Sequence, residues 1–381
     1  MLFPVEWMPF IAFRLTYFKK NMRWRTSFQS KAKQSEPEQV AAIPMRIVGP
    51  VKIVSTEVNE DVPIPLATLE SPLWPSTHRG ARVCTQAGGI RATIIDERMT
   101  RSILVEADSV ADIHQVYLNI QKQKETLQEL ISQSSRYAKL MAMNAQIVGS
   151  LLYLRFELLT GDAAGHNMVT LASDRMLEWI LHHNPTLRYV AISGNYCSDK
   201  KVSAVNGILG RGKNVVAEVT LSRHLCQRFL KTTPEKIVDI NIKKNLLGNI
   251  VSGGLRTANA HFANMLLGFY LATGQDAANI IEGSQGIVHA ELRGEELYFS
   301  VTLPNVIIGA IGSGKSLDFV QENLRLLGCL EKRVPGYNAR RLAIIAAATV
   351  LCGELSLLAA QTNQGELMRS HLKLERYRKE E

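Results

Sequence analysis

The sharpest chemical signal is an octapeptide, Gly309-Ala-Ile-Gly-Ser-Gly314-Lys315-Ser316, with the GxxxxGK[ST] spacing of a phosphate loop. Backbone amides and Lys315 would there surround a β/γ-phosphate. The flanks argue against it. Pro304-Asn305 interrupts the strand-like approach over Tyr298–Leu303, and no apolar strand ending in a magnesium-binding aspartate follows the helix-like Leu317–Leu327. A nucleotide triphosphatase is therefore a distant reading. A second candidate is the loop Ser193–Lys201 (SGNYCSDKK), where one aspartate stands beside two lysines. A lysine held against a carboxylate is a fixed cation, suited to stabilising an oxyanion. A third is Thr160–Met168 (TGDAAGHNM), where small residues open a helix and would let a phosphate approach its amides. His166 in that turn reads first as a cap or surface residue. Glu70, Asp276 and His371 are scattered, but with Lys200 they form a set able to supply an acid, an oxyanion partner and a proton for a leaving group. On spacing alone each of these also fits a solvated loop or a structural cap.

Such residues need a scaffold, and the composition supplies one. The chain has 381 residues, 46% hydrophobic and 21% charged, which excludes disordered and collagen-like classes. Five scattered cysteines without a CxxC pair argue against a zinc ribbon or disulfide framework and for a reducing, cytoplasmic setting. No metal-ligand spacing stands out. The net charge of +9 resembles a nucleic-acid signal until it is located. Residues 1–33 hold seven bases and one acid, so the rest carries only a small excess, without a basic stripe interleaved with aromatics. Nucleic acid is thus not an expected partner. The run Met1–Phe18 is apolar but broken by Pro4, Glu6, Pro9 and Arg14, poor material for a membrane span. It reads as an extension, with an interfacial membrane anchor as the alternative.

Residues 1–40 read as this extension and a polar linker. Residues 43–70 alternate in short β-branched runs and predict strands. Ala111–Lys139 reads as helical from the spacing of Ile113, Val116, Ile120 and Leu127. A strand over Leu151–Leu159, a helix over Met168–His183 and a strand over Tyr189–Ile192 would complete a small α+β unit spanning 102–192. Ala258–Thr273 and Leu342–Ala360 are apolar nearly all round and predict buried core helices.

The order of the segments is more specific than any one of them. ATLES (67–71), STHRG (76–80), DERMTRS (96–102), SSRYAKL (134–140), GDAAGHNM (161–168), SGNYCSDKK (193–201), KKNLLGN (243–249), NAHFANM (259–265), GQDAANI (274–280), GELSLLAAQ (353–361) and RSHL (369–372) follow one another along the chain. Together they resemble the 3-hydroxy-3-methylglutaryl-coenzyme A reductases over residues 44–373, and the DKK loop resembles the class I, NADPH-using branch.

The resemblance implies an α+β fold: a large helical and β substrate-binding domain, 41–101 with 193–381, interrupted by a small ferredoxin-like dinucleotide-binding domain, 102–192. It implies reduction of 3-hydroxy-3-methylglutaryl-CoA to mevalonate with NADPH, in a homo-oligomer (dimer or tetramer) with active sites between subunits. The catalytic glutamate falls on Glu70, the oxyanion lysine on Lys200, the central aspartate on Asp276 and the thiolate-protonating histidine on His371. An adjacent Asp276 would raise the pKa of Glu70. Substrate contacts fall on Arg101, Ser193, Asp199, Lys201, Lys244, Asn245, His261 and Asn264. Coenzyme A contacts fall on Ser76, His78 and Arg79, and NADPH contacts on Ser135, Arg136, Tyr137, Asp162 and Asn167. Arg136, beside Ser134 and Ser135, offers a charged fork and hydroxyls for a 2′-phosphate.

Some positions depart from the family. DAAGHN stands where DAMGMN is usual, which introduces His166; STHRG replaces STNRG, which introduces His78; and the phosphate-loop-like GAIGSGKS occupies the family's GTVGGGT turn. A non-catalytic acyl-CoA-binding relative is the main rival reading.

Overall fold

The β-branched runs of residues 43–70 fold as an antiparallel pair, β1 (Met45–Val54) and β2 (Asn59–Ala67), with Val51 and Ile53 turned inward and Lys52 outward. The computed structural model describes residues 40–133 and 135–376. The N-terminal extension, Ser134 and the last five residues lie outside the described residues. After β2 comes α1 (Leu73–Gln86), and after it a strand of 17 residues, β3 (Ile90–Glu106).

This strand belongs to two sheets. Over Arg91–Arg98 it pairs antiparallel with β7 (Gly212–Leu221), and over Met99–Glu106 with β5 (Leu151–Leu159). The first sheet runs β2-β1-β3-β7-β9-β8, with β8 (Ile287–Arg293) and β9 (Glu296–Val306) closing one edge. In the second sheet β4 (Lys139–Val148) pairs with β5, and β6 (Arg188–Ala191) pairs with β3. The chain through it runs β3, α2 (Val110–Gln121), α3 (Lys124–Ser132), β4, β5, α4 (His166–His183), β6. That path with its antiparallel order β6-β3-β5-β4 is the ferredoxin-like arrangement.

Two apolar cores result. One lies on the first sheet and is built around α6 (Phe262–Ala272) and α8 (Tyr337–Gln361); α5 (Ala204–Leu209) lies between β6 and β7. The other packs Ile113, Val116, Leu127, Met176 and Ile180 over Leu154, Phe156 and Ile103. Helix α8 is long and apolar enough to cross a bilayer, yet its most apolar window is 94% buried, so it is the central core helix expected over Leu342–Ala360. It lies hard against α1. A methyl added at Gly80 would sit 2.0 Å from the Cys352 carbonyl oxygen, so only glycine permits this approach. Beyond β9 come α7 (Asp318–Leu326) and, after α8, a short α9 (Glu366–His371).

Three elements differ from expectation. The helix expected over 111–139 is two helices broken at Lys122-Gln123, and its last residue already opens β4. The helix expected from Ala258 begins at Phe262, because the Ala260 and His261 amides donate to the Glu354 carboxylate instead of continuing a helical ladder. The strand expected to end at Leu303 continues to Val306 through Pro304, which tolerates a strand where its missing N–H is not needed.

Candidate active site

The loop that leaves β6 holds Asn195, Ser198 and Lys200 at φ of 59°, 42° and 54°. Side chains other than glycine disfavour this left-handed region, so the loop must be held from outside. The Cys197 N–H donates to Ser102 Oγ at 3.3 Å, Asn206 Nδ2 of α5 to the Ser198 carbonyl at 2.8 Å, and the Lys200 N–H to Glu282 Oε1 at 3.1 Å. The central anchor is Arg211, fully buried. Its Nη1 donates to the Thr100 carbonyl (2.7 Å) and hydroxyl (2.8 Å), its Nη2 to Asp199 Oδ1 (2.5 Å), and its Nε lies 3.5 Å from Glu282 Oε1. Burial works to raise the Asp199 carboxyl, but the charges of Arg211 and Arg101 and the Arg211 hydrogen bond, joined by His166 when that ring is protonated, hold it below the ordinary range.

This bracing delivers Lys200 Nζ to Asp276 Oδ2 at 2.6 Å. The hydrogen bond to Asp276 raises the lysine above its ordinary pKa against the opposing effect of burial. Burial pushes the Asp276 carboxyl up, but the Lys200 hydrogen bond, the Ala278 N–H and the Lys200 charge outweigh it and hold the group down. The pair is therefore a persistent cation and anion at neutral pH, with the cation still partly open to solvent.

The phosphate-loop-like octapeptide supports this pair from beneath. Gln275 and Gly309 exchange hydrogen bonds, Nε2 to the Gly309 carbonyl at 3.1 Å and the Gly309 N–H to Oε1 at 3.0 Å. Lys315 Nζ, buried, donates to the Gly274 carbonyl, and burial lowers its pKa to about 8. The lysine is spent on the turn that carries Asp276, not presented to a triphosphate.

Glu70 lies after β2, where Asn264 Nδ2 of α6 donates to its Oε2 at 2.5 Å. The Asp276 carboxylate thus answers to Lys200, while Glu70 answers to an amide. The NAHFAN turn is set by Glu354, a buried carboxylate inside α8 that accepts the Ala260 N–H at 2.9 Å and the His261 N–H at 2.5 Å. His261 Nε2 lies 3.8 Å from the same carboxylate. On the segment 241–248, Lys244 Nζ donates to Asn245 Oδ1 at 3.2 Å, Asn245 Nδ2 to Asn241 Oδ1 at 2.8 Å, and burial lowers Lys244. Arg101 Nη1 lies 3.4 Å from Ser193 Oγ and its Nη2 lies 3.9 Å from Asp199, whose carbonyl accepts Lys201 Nζ at 3.0 Å.

The residues expected at coenzyme A line up on α1. Ser76 Oγ and Arg79 Nε both reach Ser356 Oγ at 3.0 Å, and Arg79 Nη1 pairs with Glu366 at 2.7 Å. Arg79 and His78 border an open pocket of about 860 Å³ that also takes in Arg46, Arg228, Lys231 and Lys373, with no acid lining it among the described residues. His371 ends α9, half-buried.

Of the residues expected at the dinucleotide, Arg136 is exposed and its guanidinium carbon lies 4.8 Å over the Tyr137 ring. Ser135 Oγ accepts the Tyr137 and Ala138 amides at 3.2 and 3.3 Å, closing that turn. Asn167 is exposed in the first turn of α4. The Asp162 carboxylate accepts the Gly336 and Ala339 amides, both at 3.0 Å, so it caps α8. Among the described residues no group of three or more His, Cys, Asp or Glu could hold a metal.

Sequence reasoning assigned no role to Arg211, Glu282 or Glu354, each buried and each fixing a loop that carries a site residue. The only signal for Glu354 was a carboxylate inside an otherwise apolar helix, a position that needs hydrogen-bond partners.

Comparison with known proteins gives a single answer. The family model for hydroxymethylglutaryl-coenzyme A reductase matches residues 38–376. The 3-hydroxy-3-methylglutaryl-coenzyme A reductase of Pyrococcus horikoshii is 44% identical over 340 residues, 88% of this chain and 82% of that protein. The enzyme of the same name from Aeropyrum pernix is 42% identical over 337 residues, 88% of this chain and 80% of that protein. Among solved structures, the class II enzyme of Streptococcus pneumoniae bound to NADPH superposes with a TM-score of 0.70 at 18% identity, covering 97% of this chain and 90% of that one.

Proposed function

The chain belongs to the hydroxymethylglutaryl-coenzyme A reductase family, and on that premise we propose that it reduces 3-hydroxy-3-methylglutaryl-CoA to mevalonate and free coenzyme A, with NADPH as reductant. The observation that carries the reading is the Lys200–Asp276 pair at 2.6 Å, with the Glu70–Asn264 pair from a separate element. Each is a reactive group braced by a partner, which a non-catalytic binder has no need to build.

NADPH, when bound, supplies hydride in each of two reductions. The chain's own part is electrostatic and acid–base. Lys200, kept protonated by Asp276, faces the negative charge that grows on the thioester oxygen and stabilises the hemithioacetal oxyanion. As the C–S bond breaks, His371 protonates the departing thiolate, whose ordinary pKa near 8.5 would otherwise let it re-add to the aldehyde. Glu70 then gives a proton to the alkoxide formed in the second reduction, with Asn264 orienting its carboxyl. Arg101, Ser193, Asp199, Lys201, Lys244, Asn245 and His261 surround the acyl group in this reading. The basic pocket beside His78 and Arg79 takes the phosphates of coenzyme A.

The residues present fit a phosphorylated dinucleotide. An exposed guanidinium stacked on Tyr137 is a ready fork for a 2′-phosphate, and Asn167 stands at the start of α4. Asp162 serves this site by fixing its turn. In Arg136→Ala, kcat/KM for NADPH is expected to fall roughly tenfold or more, with NADH use changed less than about twofold. Equal losses with both would remove Arg136 from cofactor choice.

The assignment of His371 separates two half-reactions. His371→Gln is expected to lower turnover of the thioester about a hundredfold, a usual size for a lost general acid, and to spare reduction of added mevaldehyde. Equal loss of both activities with an unchanged fold would give His371 another role.

The exposed apolar side chains Ile242, Leu246, Leu247, Ile250, Val251 and Leu255 support a homo-oligomer. They lie on the same segment as Lys244 and Asn245, so a partner covering them would close the site. Five free, buried cysteines support a reducing, cytoplasmic setting. In this reading 102–192 is the dinucleotide-binding domain inserted in the larger one.

A further inference from the structure

His166, the departure in the DAAGHN turn, is neither a simple cap nor a surface residue. It is the first residue of α4, its side chain 19% exposed. Its Nε2 is buried without a hydrogen-bond partner among the described residues and lies 3.8 Å from Asp199 Oδ1. The charges that act on the ring come from other elements: Arg211 before β7, Asp199 and Lys200 on the loop after β6, and Asp276 after α6. Burial first, and then the charge of Arg211, lower its pKa against the pull of Asp199 and Asp276, so it is neutral at pH 7.

That position has a consequence for a charged cofactor. The carbon being reduced must sit with its oxygen at Lys200, and a hydride donor must approach it to within about 3.5 Å. His166 directly precedes the proposed cofactor residue Asn167, and the charge of Lys200 acts on it. Asp199, which the His166 ring approaches at 3.8 Å, directly precedes Lys200, so a donor ring brought to that carbon would come near the His166 imidazole. That ring is uncharged when reduced and cationic when oxidised. A neutral imidazole accepts both forms, whereas an imidazolium repels only the oxidised one.

Resting on the reductase reading, we propose that His166 is a specificity-determining residue of the cofactor site, whose protonation state sets how strongly the site prefers reduced over oxidised dinucleotide. By linkage, the oxidised form must then disfavour protonation of His166 and the reduced form must not.

The test is an NMR titration of selectively labelled histidine rings in the full chain, with His166→Met assigning the signal. In the free protein His166 titrates below the ordinary histidine value; NADP+ moves it down about one further unit, and NADPH leaves it in place. Calorimetry supplies a second readout, the ratio of Kd for NADP+ to Kd for NADPH. This ratio rises about tenfold as the pH falls through the titration in the wild type, and stays flat in His166→Met and in His166→Asn. The 2′-phosphate ionises in a similar range, but it is common to both dinucleotides and cancels. Equal movement of the His166 signal by both forms, or the same slope of the ratio in the variants, overturns the inference while leaving the reductase reading intact. If neither dinucleotide binds the wild type at any pH, the cofactor reading fails and the inference with it.

Discussion

Lys200→Met is expected to lower thioester turnover by roughly a thousandfold, with little change in melting temperature. Removal of one preorganised donor to an oxyanion costs on the order of 10²–10³ in rate, and Lys200 is here a full charge rather than a neutral amide. Its side chain is 38% exposed and that of Asp276 44%, so the orphaned carboxylate regains water and folding loses little. Asp276→Asn gives the complementary result. In the proposed mechanism Lys200 acts while protonated, so activity should fall as pH rises through its pKa. Asp276 holds that pKa above the ordinary lysine value, so the asparagine variant should lose activity at lower pH on the alkaline side. Rate profiles against pH for both half-reactions check this. A Lys200→Met enzyme within tenfold of the wild type, correctly folded, would move the oxyanion role to another cation.

The second large effect belongs to a residue that touches no reacting atom in this reading. Arg211→Met should cost about 3–5 kcal/mol of stability, the usual penalty for stripping one partner from a buried ionic network. Asp199 and the fully buried Glu282 would both lose their cation. Burial already pushes Glu282 above the ordinary carboxylate range, so it would take up a proton instead of remaining an unpaired anion. The loop of Asn195, Ser198 and Lys200 would then lose its main brace, and left-handed non-glycine residues relax when unsupported. Turnover should therefore fall as well, through kcat more than through binding. Arg211→Lys should recover only part of either loss, because an ammonium cannot reproduce the fork that reaches Thr100 and Asp199 together. Denaturant midpoints and steady-state rates measure the two losses. A stability loss under about 1 kcal/mol together with a kcat within twofold of wild type in Arg211→Met would mean that the loop is held by its other bonds.

How far the sequence reveals this site depends on whether a partner is near in the chain. Residues 193–201 announce themselves because the loop's chemistry is written in one contiguous peptide. Asp276 and Lys200 are 76 positions apart, and only the ordered series of segments suggests that they meet. Lys315 shows the opposite outcome. Its local motif is that of a triphosphate cradle, but its amine is committed to Gly274, 41 residues upstream, a bond that no local pattern encodes. The fold divides in the same way. Strongly periodic stretches such as Leu151–Leu159 and Leu342–Ala360 are legible. Lys139–Val148 is not, since its half-buried edge position leaves no clean alternation and its first residue extends a helical pattern. Asp162 shows that a residue can sit in a recognisable motif and still spend its carboxylate on a helix end 174 positions away.

The strand shared by the two sheets has a mechanical meaning. Residues on either side of the switch at Arg98–Met99 belong to one unbroken backbone, yet their hydrogen bonds run to β7 on one side and to β5 on the other. Pulling the sheets apart would shear those bonds in series along a single strand. The smaller sheet is therefore joined to the larger through a common beam, not hung from flexible tethers. A small rotation of its sheet bends β3, and Arg101 and Ser102 lie on that strand next to the loop bearing Lys200. If the smaller sheet carries the nucleotide, as proposed, its loading would reach Lys200 as strain in one polypeptide segment, without a separate relay.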